Sequence, residues 1–187
     1  NQYANAEIVI SNSRDGLSLT VRIKNYDKNN FNDVSAIIHE IIHSFHGLSA
    51  LNPVAYEEGI TVAATDAVLA KLINTGKIPA FNPLYIRFGS SDYSDTSLTV
   101  PSDYTAFYTS PAVAKYYQLV GYGWYRIYQS DPDFFKRFNE KIYRKRREGN
   151  VITATLVLDT IRESTSISVN GQSINDWLVT PAFALTN

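Results

Sequence analysis

The sequence predicts an α+β fold: a small N-terminal β-sheet, then a motif-bearing helix, then a mostly helical C-terminal half. Three observations predict it. Residues 6–11 and 17–23 are short runs rich in Ile, Val and Leu, and the second alternates cleanly between apolar and polar. Val34, Ile37, Ile38, Ile41, Ile42 and Phe45 recur at the spacing of one apolar helix face. Beyond residue 52 the chain carries a succession of helix start and stop signals.

Asp15-Gly16 marks the turn between the two strands. Residues 25–32 form a polar loop into the first helix, with Asp33 or Asn32 as its N-cap and Gly47 as its stop. Asn52-Pro53 opens a second helix, with proline at the first helical position, running to about Asn74 and stopped by Gly76. Residues 77–103 hold prolines, glycines, serines and aspartates, and are expected to be irregular, with one short strand over 84–88. Helix resumes after Ser110-Pro111, from Ala112 to about Val120, and continues past Gly121 and Gly123. Asp131-Pro132 opens a further helix reaching Arg147, and another amphipathic stretch spans 152–162. Ser173-Ile174-Asn175-Asp176 has the form of a capping box ahead of Trp177 and Leu178. No repeat or linker divides the chain, so residues 1–187 are expected to form a single domain, which a longer chain can carry as its core.

Composition sets the bounds. A hydrophobic fraction of 44% and a charged fraction of 19% are those of a globular domain. Net charge is -1, which gives no bulk attraction to nucleic acid or to an anionic membrane. The basic run from Lys141 to Arg147 is expected to be a solvated helix end, complementing the C-terminal dipole. No apolar run is long enough to span a membrane. Cysteine is absent, so a zinc site here would be built from histidine and carboxylate. The chain starts at Asn1 and has no methionine, and is expected to be a processed product or excised domain. Its 13 tyrosines, few charges and many Ser, Thr and Asn residues point to an extracytoplasmic setting.

All 3 histidines fall within residues 39–46. His39 and His43, four apart with Glu40 after the first, make an H-E-x-x-H pattern. On a helix that spacing points two imidazoles at one zinc ion and sets a carboxylate beside it. At about 100° per residue, His39, His43 and His46 share a stripe off the apolar one. The expectation is one face in the core and the other carrying ligands into a cleft. A catalytic zinc needs a third protein ligand and an open position. His46 lies about 10 Å from residue 39 along the helix axis, too far to converge on the same tetrahedral ion. The Glu57-Glu58-Gly59 stretch is better placed, on a helix able to return antiparallel past the first.

Residues 39–47, His-Glu-Ile-Ile-His-Ser-Phe-His-Gly, together with Tyr56-Glu57-Glu58-Gly59-Ile60-Thr61, resemble gluzincin metallopeptidases, in particular the aminopeptidase-N-like group. That group places an aromatic residue and a glycine after its H-E-x-x-H, as Phe45 and Gly47 stand here, and a glutamate ligand before a glycine in the next helix. The resemblance makes Glu58 the third ligand, with Glu57 as the alternative, whose other role is a solvated charge at the helix start. It also offers Tyr108, ahead of Thr109-Ser110-Pro111, as a donor to the oxyanion, with Tyr104 as the alternative. The later helices, to Asp176-Trp177-Leu178, resemble the helical subdomain of these enzymes. The segment between His43 and Glu58 is shorter than in the aminopeptidases, and their glycine-rich substrate-amine motif is missing. Exopeptidase activity therefore does not carry over. The thermolysin-like glutamate-to-aspartate spacing is absent; Asp66, two turns past Glu58, is offered only as a partner to a ligand histidine. Metzincins match less well, because Ser49 stands where their third ligand would be.

What the resemblance implies is a zincin-like α+β fold and zinc-dependent hydrolysis of a peptide or protein substrate, by endopeptidase action in a secreted enzyme. One zinc ion would be held by His39, His43 and Glu58, with Glu40 as general base and Tyr108 as oxyanion donor. A zincin-like binding or structural module without catalysis is the alternative. Such a module has no need of Glu40.

Overall fold

The computed structural model describes residues 6–13, 16–46, 53–79, 100, 101 and 103–178. Strands β1 (Ala6–Ser13) and β2 (Gly16–Ile23) pair antiparallel, from Ala6 opposite Ile23 to Ser13 opposite Gly16. Gly16 is thus the first residue of β2, while Arg14 and Asp15 lie outside the described residues. The hairpin packs on helix α1 (Phe31–His46). Neither expected cap serves α1. Asn30 does, its side-chain oxygen accepting the Asn32 N–H at 2.9 Å, while Asp33 accepts from Asp27 N–H across the preceding loop. The expected stop at Gly47 and the short strand over 84–88 lie outside the described residues.

Helix α2 (Val54–Asn74) follows, and Pro53 stands just before it rather than inside it. Its end is a Schellman motif: Lys77 N–H reaches Leu72 C=O, Gly76 N–H reaches Ile73 C=O, and Gly76 takes φ +66°. Every residue of α2 from 56 to 63 is buried, so the helix is covered all round. α1 and helix α4 (Val113–Ser130) both pack against it. α4 runs unbroken through Gly121 and Gly123. Between α2 and α4 stands the short helix α3 (Tyr104–Thr109), capped by Asp103 Oδ1 accepting the Ala106 N–H at 2.8 Å.

Helix α5 (Phe134–Arg147) and helix α6 (Ala154–Ser164) close the core, with Phe134, Phe138, Val157 and Ile161 packed toward Tyr56 and Trp124. A small hairpin, β3 (Ser168–Val169) and β4 (Gln172–Ser173), turns on Asn170-Gly171, both with positive φ, as a two-residue hairpin loop favours. Ser173 then caps helix α7 (Ile174–Leu178), accepting the Asp176 N–H and donating to the Asp176 carboxylate. Among the described residues no helix is long and apolar enough to cross a membrane.

Gly59 is the contact that lets α2 and α4 close. A Cβ there would stand 2.5 Å from Val120 O and 2.8 Å from Trp124 Nε1. Helix propensity alone favours Gly59→Ala by about 1 kcal/mol, whereas overpacking costs about 1–3 kcal/mol, and here the obstacle includes backbone. Gly59→Ala is therefore expected to lower the urea midpoint; a raised midpoint would show that the two helices are not in contact there.

Asp131 fastens the α4–α5 junction to the end of α6. Its Oδ2 accepts from the Arg137 guanidinium and from Thr165 Oγ1 at 2.7 Å, and Arg137 Nε donates to Ser164 C=O at 2.8 Å. Burial works to raise its carboxyl, but Thr165 and Arg137 outweigh burial and hold it below the usual range. A carboxyl depressed in the folded state stabilises above its unfolded value of about 3.9, and that stabilisation drains away as pH falls through the folded value. The stability gap between wild type and Asp131→Asn should accordingly be widest near neutrality and narrow from about pH 4 downward in urea titrations. A gap independent of pH would contradict this assignment.

Candidate metal centre

The centre is built on the seam between α1 and α2. His39 and His43, one turn apart on α1, are 2% and 5% exposed, whereas Ile41, expected on the buried face, is 41% exposed. The expected apolar face is buried in part, at Val34 and Ile42, while the histidine stripe is buried as well, against α2 rather than opening into a cleft. The physical reason lies on α2, whose Glu57, Glu58, Thr61, Thr65 and Asp66 are all buried. Polar groups taken out of water need polar partners, and α1 presents its histidines to them. The apolar stripe of α1 is covered at Phe31 and Val34, which pack with Leu69 and Ile38, and at Ile42, which is buried too.

Three residues named from the sequence meet here: His39, His43 and Glu58 each offer a ligand atom, and these atoms lie within 4.8 Å of one another. His39 Nε2 is 3.0 Å from His43 Nε2 and 3.4 Å from Glu58 Oε2, and His43 Nε2 is 3.6 Å from Glu58 Oε1. Ligands at about 2.0–2.1 Å around a tetrahedral zinc stand roughly 3.3 Å apart, which the His39–His43 separation and each histidine's contact with its own Glu58 oxygen approach, the two contacts being to different oxygens of that carboxylate. Glu58 is 1% exposed, and its Oε2 takes no hydrogen bond from any other described residue beyond the facing His39 ring. A buried carboxylate oxygen left in that state suits a metal ligand. The donor set, two imidazoles and one carboxylate, is one that catalytic zinc uses, so the residues fit the ion.

The electrostatics follow the packing. Burial alone would raise the Glu58 carboxyl, but His39 and His43 hold it well below the usual carboxylate range. Burial also opposes charge on His43, yet Glu57 and Glu58 push it up to about 10. A metal taking its Nε2 must displace a proton, so uptake weakens in acid.

Glu57 is not the solvated charge expected of it. It is 1% exposed, with Oε1 3.5 Å from His43 Nδ1, on the far side of the ring from the cluster. Glu40 is half-buried; burial raises its carboxyl, while His39 and His43 lower it and Glu58 raises it further. Those interactions place Glu40 in the field of all three cluster residues. Tyr108, 43% exposed, donates its hydroxyl hydrogen to Glu58 Oε1. Burial and the charge of Glu58 raise its phenol. Tyr104 lies beside it, ring centroids 6.1 Å apart, its own phenol raised by burial and by Glu57 and Glu58. Two residues near the centre had no signal in motif spacing. Tyr117 meets His39 edge-on at 5.9 Å between ring centroids, and Thr61 Oγ1 lies 3.2 Å from His43 Nδ1. Asp66 is buried further along α2, where its charge, after burial itself, raises the Tyr125 phenol.

No family model matches this sequence, and no curated protein or solved structure matches the chain.

The geometry makes a direct prediction about metal content. Refolded with zinc and freed of excess, the protein should retain about one ion per chain by elemental analysis. His43→Ala and Glu58→Gln should each lose it. Zinc retained by both variants would place any metal elsewhere.

Proposed function

We propose that this chain is a zinc-dependent peptidase of zincin-like α+β fold, hydrolysing an internal bond of a peptide or protein substrate. The observation that supports it best is Glu40. It belongs to no ligand set, yet it shares the electrostatic environment of His39, His43 and Glu58. A purely structural metal site closes its coordination with protein ligands and has no use for an adjacent base.

Zinc bound there would supply Lewis acidity toward a carbonyl oxygen and would acidify a water. Glu40 is the proposed general base: its carboxylate takes a proton from the attacking water and returns it to the leaving amine. Its raised carboxyl suits a group that must both accept and release a proton. Tyr108 is the proposed donor to the developing oxyanion, which requires its hydroxyl to leave Glu58 Oε1. Its part-exposed ring stands where a substrate can reach it. The likeness to gluzincins rests on the two motifs around His39–His43 and Glu58, and the extracytoplasmic setting on composition alone.

Glu40→Gln separates this reading from a silent metal-holding module. It should keep zinc and lose casein or peptide hydrolysis, because an amide cannot accept the proton. Wild-type protein that binds zinc and shows no hydrolysis of any peptide library would favour the module. Tyr108→Phe should lower kcat by about 10²–10³ with little change in KM, the cost of one lost oxyanion donor. Tyr104→Phe is the comparison: if it alone loses turnover, the donor is Tyr104.

A further inference from the structure

Thr61 stands one helical turn after Glu57 on α2, its hydroxyl 3.2 Å from His43 Nδ1 and 2.7 Å from the Glu57 backbone carbonyl. A hydroxyl has one hydrogen to donate and two lone pairs to accept with. The shorter contact is to a carbonyl, which can only accept, so the hydrogen goes there. Toward His43, Thr61 Oγ1 is then an acceptor, and Nδ1 must supply the hydrogen. Glu57 Oε1 lies 3.5 Å from the same nitrogen without hydrogen-bonding to it, a nearby oxygen whose presence favours an N–H there over a lone pair. The Thr61 hydroxyl therefore requires an N–H at that position, and the Glu57 oxygen favours it. When the ring gives up a proton to bind a metal, the lone pair then falls on Nε2, the nitrogen that faces His39 Nε2 and Glu58 Oε1.

We infer that Thr61, together with Glu57, is a positioning residue that fixes His43 in its Nδ1–H form and turns Nε2 toward the metal centre. Thr61 is 0% exposed and Glu57 1%, which leaves solvent no room to replace either oxygen beside Nδ1. A ligand imidazole generally gives its other ring hydrogen to such a partner, which fixes ring orientation and raises its basicity. The inference rests on the metal-binding reading above and extends it to residues that no ligand pattern would select.

The test compares wild type, Thr61→Val and Thr61→Ser by zinc affinity, in competition with a chromophoric chelator, with thermal melts of the metal-free proteins as the folding control. Thr61→Val keeps the shape and removes the acceptor, and should weaken zinc binding about 10–100-fold. Thr61→Ser restores the hydroxyl and should bind close to wild type. In zinc-loaded wild type, ¹⁵N-edited proton NMR should show a slowly exchanging His43 Nδ1–H and a metal-bound Nε2. This last readout needs no variant to fold. The inference is overturned if Thr61→Val binds zinc as tightly as wild type, if Thr61→Ser is as weak as Thr61→Val, or if the spectrum shows Nδ1 on the metal. Wild type that takes up no zinc overturns the metal-binding reading itself, and this inference with it.

Discussion

The buried polar seam between α1 and α2 is the constraint on which the rest of the structure depends. His39, His43, Glu57, Glu58 and Thr61 are all withdrawn from water at the contact of two helices. Burying charged groups costs several kcal/mol per ion unless geometry and hydrogen bonding compensate, and hydrophobic residues of like size usually do better. A chain that places two carboxylates and two imidazoles there carries an expense that packing alone does not call for. The compensation is mutual: carboxylate against imidazole, hydroxyl against ring nitrogen, phenol against carboxylate. A divalent cation at the convergence of the three ligand atoms would complete it.

The surroundings can be understood as what holds that seam shut. Gly59, directly after Glu58, admits the α4 backbone and Trp124, so Glu58 sits on a helix packed closely against α4. The aromatic cluster of Tyr56, Trp124, Phe134 and Phe138 fills the opposite side of α2 from the histidines. Rigid support of this kind is what a metal site needs, because a ligand held loosely costs ordering entropy at every binding event. α3 adds the open side: its buried Phe107 anchors it, while Tyr108 reaches Glu58 and remains part-exposed.

Much of the centre was legible in the sequence because its spacing is dictated by helix geometry. His39, Glu40 and His43 carry their arrangement in the four-residue spacing, whereas the residues alone left Glu57 and Glu58 open and only the resemblance, through the glycine after it, singled out Glu58. The structure supplies a packing reason for that glycine. The burial of the histidine stripe of α1 was not legible. An apolar stripe normally marks the buried face, and nothing in residues 34–45 alone says that the polar stripe faces a polar partner helix. That follows only when α2 is laid beside it. For the same reason Glu57 looked like solvated charge and Thr61 like an ordinary helix residue. Locally, Asn30 rather than Asp33 caps α1, a choice among adjacent Asn and Asp residues that composition cannot make. α3 was missed because one and a half turns show no periodicity, though Asp103 before Tyr104 was a usable cap signal. The β3–β4 hairpin was missed because two-residue strands show no alternation, although Asn170-Gly171 is the strongest short turn signal available.

The central claim is that His39, His43 and Glu58 converge on one zinc ion. X-ray absorption at the zinc edge of the loaded protein tests it most directly. The account predicts a four-coordinate shell of nitrogen and oxygen at about 2.0–2.1 Å, with the outer-shell scattering of two imidazoles and no sulfur. A hydrated six-oxygen shell without imidazole scattering, or a spectrum showing one histidine instead of two, would contradict it.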